Sequence, residues 1–175
     1  MTMSATVMYK VCKDGHVEQV QQFGNAWHGA MSVWMSMSER YLGRAFDMSN
    51  PQATWDISKT PGVPREYAVT LLSTFDMVMV RRRDMPELIR CFRAFVDEFG
   101  KVGGRGLHLD RQADFMETLL EDDDCDGVCW NQTDVVESPW VATGDDGEEE
   151  PYNVQTCKRH WFMLGPGEPG SASCP

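Results

Sequence analysis

Between Asp110 and Glu150 the chain carries a single basic residue, Arg111, against fifteen Asp and Glu. Other absences narrow the field further. No apolar run approaches the roughly 18 to 20 residues of a membrane-spanning helix, and Met1 to Tyr9 has neither a basic start nor a hydrophobic stretch. A cytoplasmic protein with no membrane contact is therefore expected. No strand-like segment is followed by GxGxxG or by a phosphate-loop lysine, which argues against a doubly wound nucleotide fold. The glycine cluster Gly103-Gly104-Arg105-Gly106 follows a predicted helix instead and reads as a turn. No internal repeat is visible. The six cysteines (Cys12, Cys91, Cys125, Cys129, Cys157 and Cys174) read as free thiols, because disulfides are rare without export and a core of this size needs none. For the same reason the sequon Asn131-Gln132-Thr133 is expected to be idle.

What is present is ordinary globular usage: 175 residues, 42% apolar and 25% charged, enough for one domain with a real core. That domain is expected over residues 1–164, followed by a low-complexity, mobile tail at 165–175. The net charge of −11 is unevenly placed. Residues 1–109 hold 13 Lys/Arg and 11 Asp/Glu, for +2; residues 110–150 hold 1 and 15, for −14; residues 151–175 hold 2 and 1, for +1. A field of that sign repels nucleic acid and acidic membranes and attracts cations or basic protein surfaces.

Alternation at Val7, Tyr9 and Val11, then Asp14-Gly15, then the β-rich stretch Val17 to Phe23, predicts a hairpin. A helix follows with Asn25 as N-cap, Trp27, Ala30, Met31, Trp34, Met37 and Tyr41 as its buried stripe, and Gly43 past its end. Met48 to Arg65, with three prolines, reads as a long connection. Tyr67 to Val80 is the most β-like stretch and is expected to supply the centre of the sheet. Asp84-Met85-Pro86-Glu87 opens the clearest helix, with a capping box, a stripe from Leu88 to Phe99 and Gly100 as its stop. A shorter helix is expected from Asp110 or Arg111 to Leu120. Strands are expected at Val128 to Val135 and within Tyr152 to Leu164, with an acidic loop at Gly144 to Glu150 between them. The order of elements favours an α+β fold: a mainly antiparallel sheet with two or three helices packed on it.

Four groups of residues are candidates for chemistry or binding. Asp122-Asp123-Asp124-Cys125-Asp126-Gly127 follows a helix and resembles the D-x-D-x-D-G opening of EF-hand-type calcium loops over these six residues. The resemblance implies Asp122, Asp124, Asp126 and the Val128 carbonyl as Ca2+ ligands. Thr133 stands at the twelfth position, where the family has a bidentate Glu, so the implied site is one ligand short. Acids at a helix C-terminus face the negative end of its dipole, at roughly 0.3 to 1 kcal/mol each, which argues for something cationic beside them, although a solvated acidic turn, where repulsion is small, is the commoner explanation. Cys125, Cys129, Cys157 and His160 are ligand types that Zn2+ takes, although buried thiols are the commoner explanation of such cysteines.

Arg81-Arg82-Arg83, with Arg90 and Arg93, has the chemistry of a phosphate site. In so acidic a chain, pairing with the 110–150 segment or solvation is the simpler expectation, and nucleic-acid binding is not expected. Trp55 and Trp140 fall near loops and are candidates for an exposed aromatic contact face. The resulting expectation is a non-enzymatic intracellular binding or inhibitory protein. Its acidic residues Glu121, Asp122, Asp123, Asp124, Asp126, Asp145, Asp146, Glu148, Glu149 and Glu150 would engage a basic surface on another protein. In sharper form it would mimic nucleic acid, as small phage-type inhibitors do. A metal-binding domain or enzyme, with Ca2+ at Asp122–Asp126 or Zn2+ at the Cys/His set, is the alternative.

Overall fold

The Asp14-Gly15 pair turns the chain between strands β1 (Ala5–Cys12) and β2 (Val17–Gly24), which pair antiparallel as the alternation predicts. The computed structural model describes residues 4–100, 107–133, 138–144, 146–157 and 159–162. The other edge of β1 is taken by β4 (Cys125–Asn131), also antiparallel, and β4 in turn pairs with β3 (Val78–Arg81). A two-residue strand, β7 (Trp161–Phe162), runs parallel to β3 and completes the order β2-β1-β4-β3-β7. Strands β5 (Val141–Thr143) and β6 (Glu149–Pro151) form a separate hairpin. The architecture is α+β with a mainly antiparallel sheet, as expected, but among the described residues five helices accompany it rather than two or three.

Helix α1 (Ala30–Leu42) ends at Gly43, whose φ of 64° closes the last turn. Asn25 does not cap α1 itself. Its side chain accepts from the Trp27 N–H at 3.3 Å and starts a short 3-10 turn that precedes the helix. The proline-rich connection also contains structure: α2 (Pro51–Trp55) begins with Pro51 in its first turn and Asn50 accepting from the Ala53 N–H.

The largest correction is at Tyr67 to Val80. Its first half belongs to helix α3 (Arg65–Ser73), and the strand begins only at Val78. Pro64 and Glu66 set the helix start, and the hydroxyls of Thr70 and Ser73 bond back to carbonyls of the same helix. Every residue from Ala68 to Ser73 is buried, so no polar face breaks the apolar run and its period is invisible in sequence.

Helix α4 (Met85–Phe99) matches its expected limits. The predicted capping box is not formed, because a 3-10 turn at Arg82–Asp84 delivers Asp84 already in helical conformation, without a side-chain cap bond. Helix α5 (Leu109–Leu120) follows. The stretch expected as a final strand is mostly turns, with only β7 extended; residues 134–137, 163–164 and the expected tail at 165–175 lie outside the described residues.

The sheet is covered on both faces. Against one face, Met8, Val80, Val128 and Trp130 pack with Leu71, Phe92 and Phe95 from the helices. Against the other, Val11, Val17, Met79 and Cys129 are covered by Trp140 and Tyr152 from the chain after β4. Burial on both sides accounts for the unbroken apolar runs of β3 and β4. Among the described residues, no helix is long and apolar enough to cross a membrane.

Candidate functional site

The acidic turn after α5 is built around two cations of its own chain. The Arg82 guanidinium reaches the carbonyls of Leu120 and Asp122 and donates to the Cys125 carbonyl at 2.9 Å. It satisfies acceptors that a helix C-terminus leaves over and places a positive charge at the negative end of the dipole. The Lys10 ammonium lies 2.7 Å from Glu18, 3.0 Å from Asp122 and 3.6 Å from Asp124. The Glu18 hydrogen bond outweighs the cost of burial and, with Asp122, holds the lysine above its ordinary range. Asp122 is held below the usual carboxylate range, first by the Asp124 N–H and then by Lys10. The acids of this turn are thus not simply solvated: cations reach them from β1 and from the 3-10 turn that precedes α4. Of the arginine run, Arg82 bonds the acidic segment, through backbone carbonyls, while Arg83 lies 3.5 Å from Asp84; Arg93 bonds Asp114 and Glu117 at 2.9 Å.

This arrangement does not assemble the EF-hand-like ligand set. Asp126 is the extra residue of a bulge, since Val11 pairs with Gly127 and Cys12 with Cys125, so its exposed side chain departs from those of Asp122 and Asp124. Among the described residues these three carboxylates do not converge on one point. The expected zinc set is not gathered either. Cys125 belongs to the core beneath the helices and Cys129 to the core on the opposite face, while His160 Nδ1 lies 2.9 Å from the Tyr152 hydroxyl. The cysteines among the described residues are all free, as expected.

The aromatic contact face is also corrected. Trp55 and Trp140 are only 4% and 3% exposed. Trp55 packs edge-on against Phe75, and Trp140 closes the second core with its indole N–H donating to the Trp130 carbonyl at 2.8 Å. Among the residues whose burial is described, the exposed indole is Trp27, at 51%, which the sequence assigns to the core stripe; it sits on the 3-10 turn before that helix begins.

The remaining acids stay at the surface. Glu121, Asp123 and Asp126 are exposed around the α5–β4 turn, and Asp146, Glu148, Glu149 and Glu150 are exposed on the β5–β6 hairpin; Asp145 lies outside the described residues. Gly147, with φ of 83°, turns that hairpin, and the Asp146 carboxylate accepts from the Glu148 N–H at 3.1 Å. Among the described residues none of these seven carboxylates has a cation within ion-pair distance.

Two further groups stand outside the site residues expected from the sequence, in which His108 is only a weak partner for a cysteine nucleophile. Cys12, His16 and Glu18 bring a thiol, an imidazole and a carboxylate within 4.8 Å of one another across the first hairpin turn. The C-x₃-H-x-E spacing over a predicted Asp-Gly turn was the available signal. His108 is buried beneath Phe23, with Nδ1 bonded to Gln112 and Nε2 without a partner. Burial, with Arg111 and His28 nearby, pushes its pKa down to about 4. No known protein family, curated protein or solved structure matches this chain.

Proposed function

We propose that the protein is a non-enzymatic binding protein. Its exposed acids, Asp146 and Glu148 to Glu150 on the hairpin with Glu121, Asp123 and Asp126 at the turn, engage a basic surface on another protein. One observation carries this reading: these carboxylates have no cation of their own among the described residues, whereas Asp122, Asp124, Asp114 and Glu117 are neutralised within the chain. Unneutralised charge on a chain of net −11 steers a basic partner by long-range attraction. In its sharper form the partner is a nucleic-acid-handling enzyme and the acids occupy the groove that would hold phosphates, as a phage-type inhibitor would.

The test compares wild type with a variant carrying Glu148→Gln, Glu149→Gln and Glu150→Gln, each immobilised and offered cell extract. A basic partner should be retained near 0.01 M salt and released near 0.15 M, where the Debye length has fallen from ~30 to ~8 Å. It should be lost from the triple variant and displaced by added DNA or RNA. Retention indifferent to both salt and the three substitutions would sink the proposal.

A further inference from the structure

We propose that Cys12, His16 and Glu18 form a binding site for a divalent transition-metal ion of the zinc class, with a fourth position left to water. The sulfur, nitrogen and oxygen donors are all groups that Zn2+ accepts, and their mutual distances, within 4.8 Å, need only a modest contraction to meet around one ion.

Three features show a built site. The first is the orientation of His16. Its Nδ1 lies 2.5 Å from the Asp14 carboxylate, and its Nε2 points to Glu18, 3.7 Å from Oε2. A carboxylate on one ring nitrogen, leaving the other free for a cation, is the arrangement that supports metal-bound histidines. The second is the division of Glu18: Oε1 is held by Lys10 at 2.7 Å, while Oε2 faces the imidazole. The third is the stiffness of the turn. The Cys12 N–H donates to the His16 carbonyl at 2.9 Å and the Lys13 N–H to the Asp124 carbonyl at 3.1 Å. From the far end of the chain, the Val154 N–H donates to the Gly15 carbonyl, and the side chains of Asn153 and Gln155 donate to the carbonyls of Asp14 and Lys13. A Cβ at Gly15 would lie 2.7 Å from both Asn153 Oδ1 and Gln155 Cγ, so the clasp closes directly onto the glycine. Ligands carried on a braced turn lose little entropy when they close on an ion.

Charge balance agrees. Coordination replaces the Cys12 thiol proton, which leaves to solvent, so a thiolate, a carboxylate and a neutral imidazole meet a doubly charged ion. Lys10 stays compensated by Asp122 and Asp124. Cys12 lies inward at 1% exposure, whereas the His16 and Glu18 side chains are 41% and 45% exposed, which gives the ion a route from solvent.

The experiment uses the full chain with Co2+ as a spectroscopic stand-in for Zn2+. One equivalent should produce sulfur-to-cobalt charge transfer in the near ultraviolet, bleached by Zn2+. Cys12→Ser should abolish the band. His16→Gln, at a half-exposed position and with its melt recorded alongside to show that it folds, should weaken binding by about 100-fold, and Asp14→Asn by about 10- to 100-fold. Should Cys12→Ser fail to fold, His16→Gln decides. A folded wild type with no sulfur-to-cobalt band overturns the proposal, as does a band that survives His16→Gln and is lost in Cys157→Ser.

Discussion

The α5–β4 turn and the β5–β6 hairpin have nearly the same composition and opposite physical states. In the first, Asp122 and Asp124 are folded around Lys10, while Arg82 ties the carbonyls beneath them to the start of α4. In the second, Asp146 and Glu148 to Glu150 stand in solvent on a hairpin that carries no Lys or Arg from Val141 to Pro151. A run of acids in sequence is thus two different objects, according to whether a cation from a distant element arrives. At the turn it is part of the frame. At the hairpin it stays in solvent.

The sharpest way to break this contrast is Arg82→Ala. With the carbonyls of Leu120, Asp122 and Cys125 left without their shared donor, urea unfolding should show a loss of about 3 to 4 kcal/mol. An unchanged midpoint would mean that the turn is no more structural than the hairpin.

Acid gives the next largest effect, and two windows must be separated. His108, lowered to about 4, binds its proton more weakly when folded than when unfolded. Its contribution is therefore complete above about pH 6.5 and lost as pH falls toward 4, amounting to about 3 kcal/mol. Glu18 and Asp122 are also depressed, Glu18 by Lys10 first. Their contribution is present above the ordinary carboxylate range and lost only below it. Stability followed against pH should fall in two steps, and His108→Leu should shrink the upper one, to which His160, also lowered by burial, adds, while leaving the lower one unchanged.

Lys10→Met should cost about 1 kcal/mol, since its partners are partly solvated, and should weaken the lower acid step. Added salt should recover part of the loss by screening Glu18, Asp122 and Asp124 from one another. The smallest effect belongs to the hairpin: the Glu148, Glu149 and Glu150 triple Gln variant should unfold within about 0.5 kcal/mol of wild type. A larger change would show that the hairpin acids have structural partners after all.

The parts legible in sequence were those whose signals are local. The Asp-Gly turn, the α4 stripe ending at Gly100 and the α1 stop at Gly43 depend on neighbours within a few residues, and they fall where expected. Helix α3 was not legible because burial around most of its circumference removes the polar face that marks a helix. The tryptophans failed for a related reason. A residue near a loop is exposed only if nothing lies over it, and what lies over Trp140 is Tyr152, whose position no local rule supplies. The candidate sites divide likewise. That a cation belongs near Asp122 follows from the helix dipole, but that it is Lys10 requires β1 to pair with β4, 112 residues away from the lysine at Asp122.

The clasp on the first turn also sets an order of events. The carbonyls of Asp14 and Lys13 receive donors 139 and 142 residues later, and β1 finds its second neighbour only in β4. At ~5 to 20 residues per second, this hairpin leaves a ribosome several seconds or more before the segments that cover it. Contacts that span so much of the chain cost loop-closure entropy before they contribute, which slows folding. Until then an apolar strand stands with one edge open, and the nascent chain is at its most prone to stick to its neighbours.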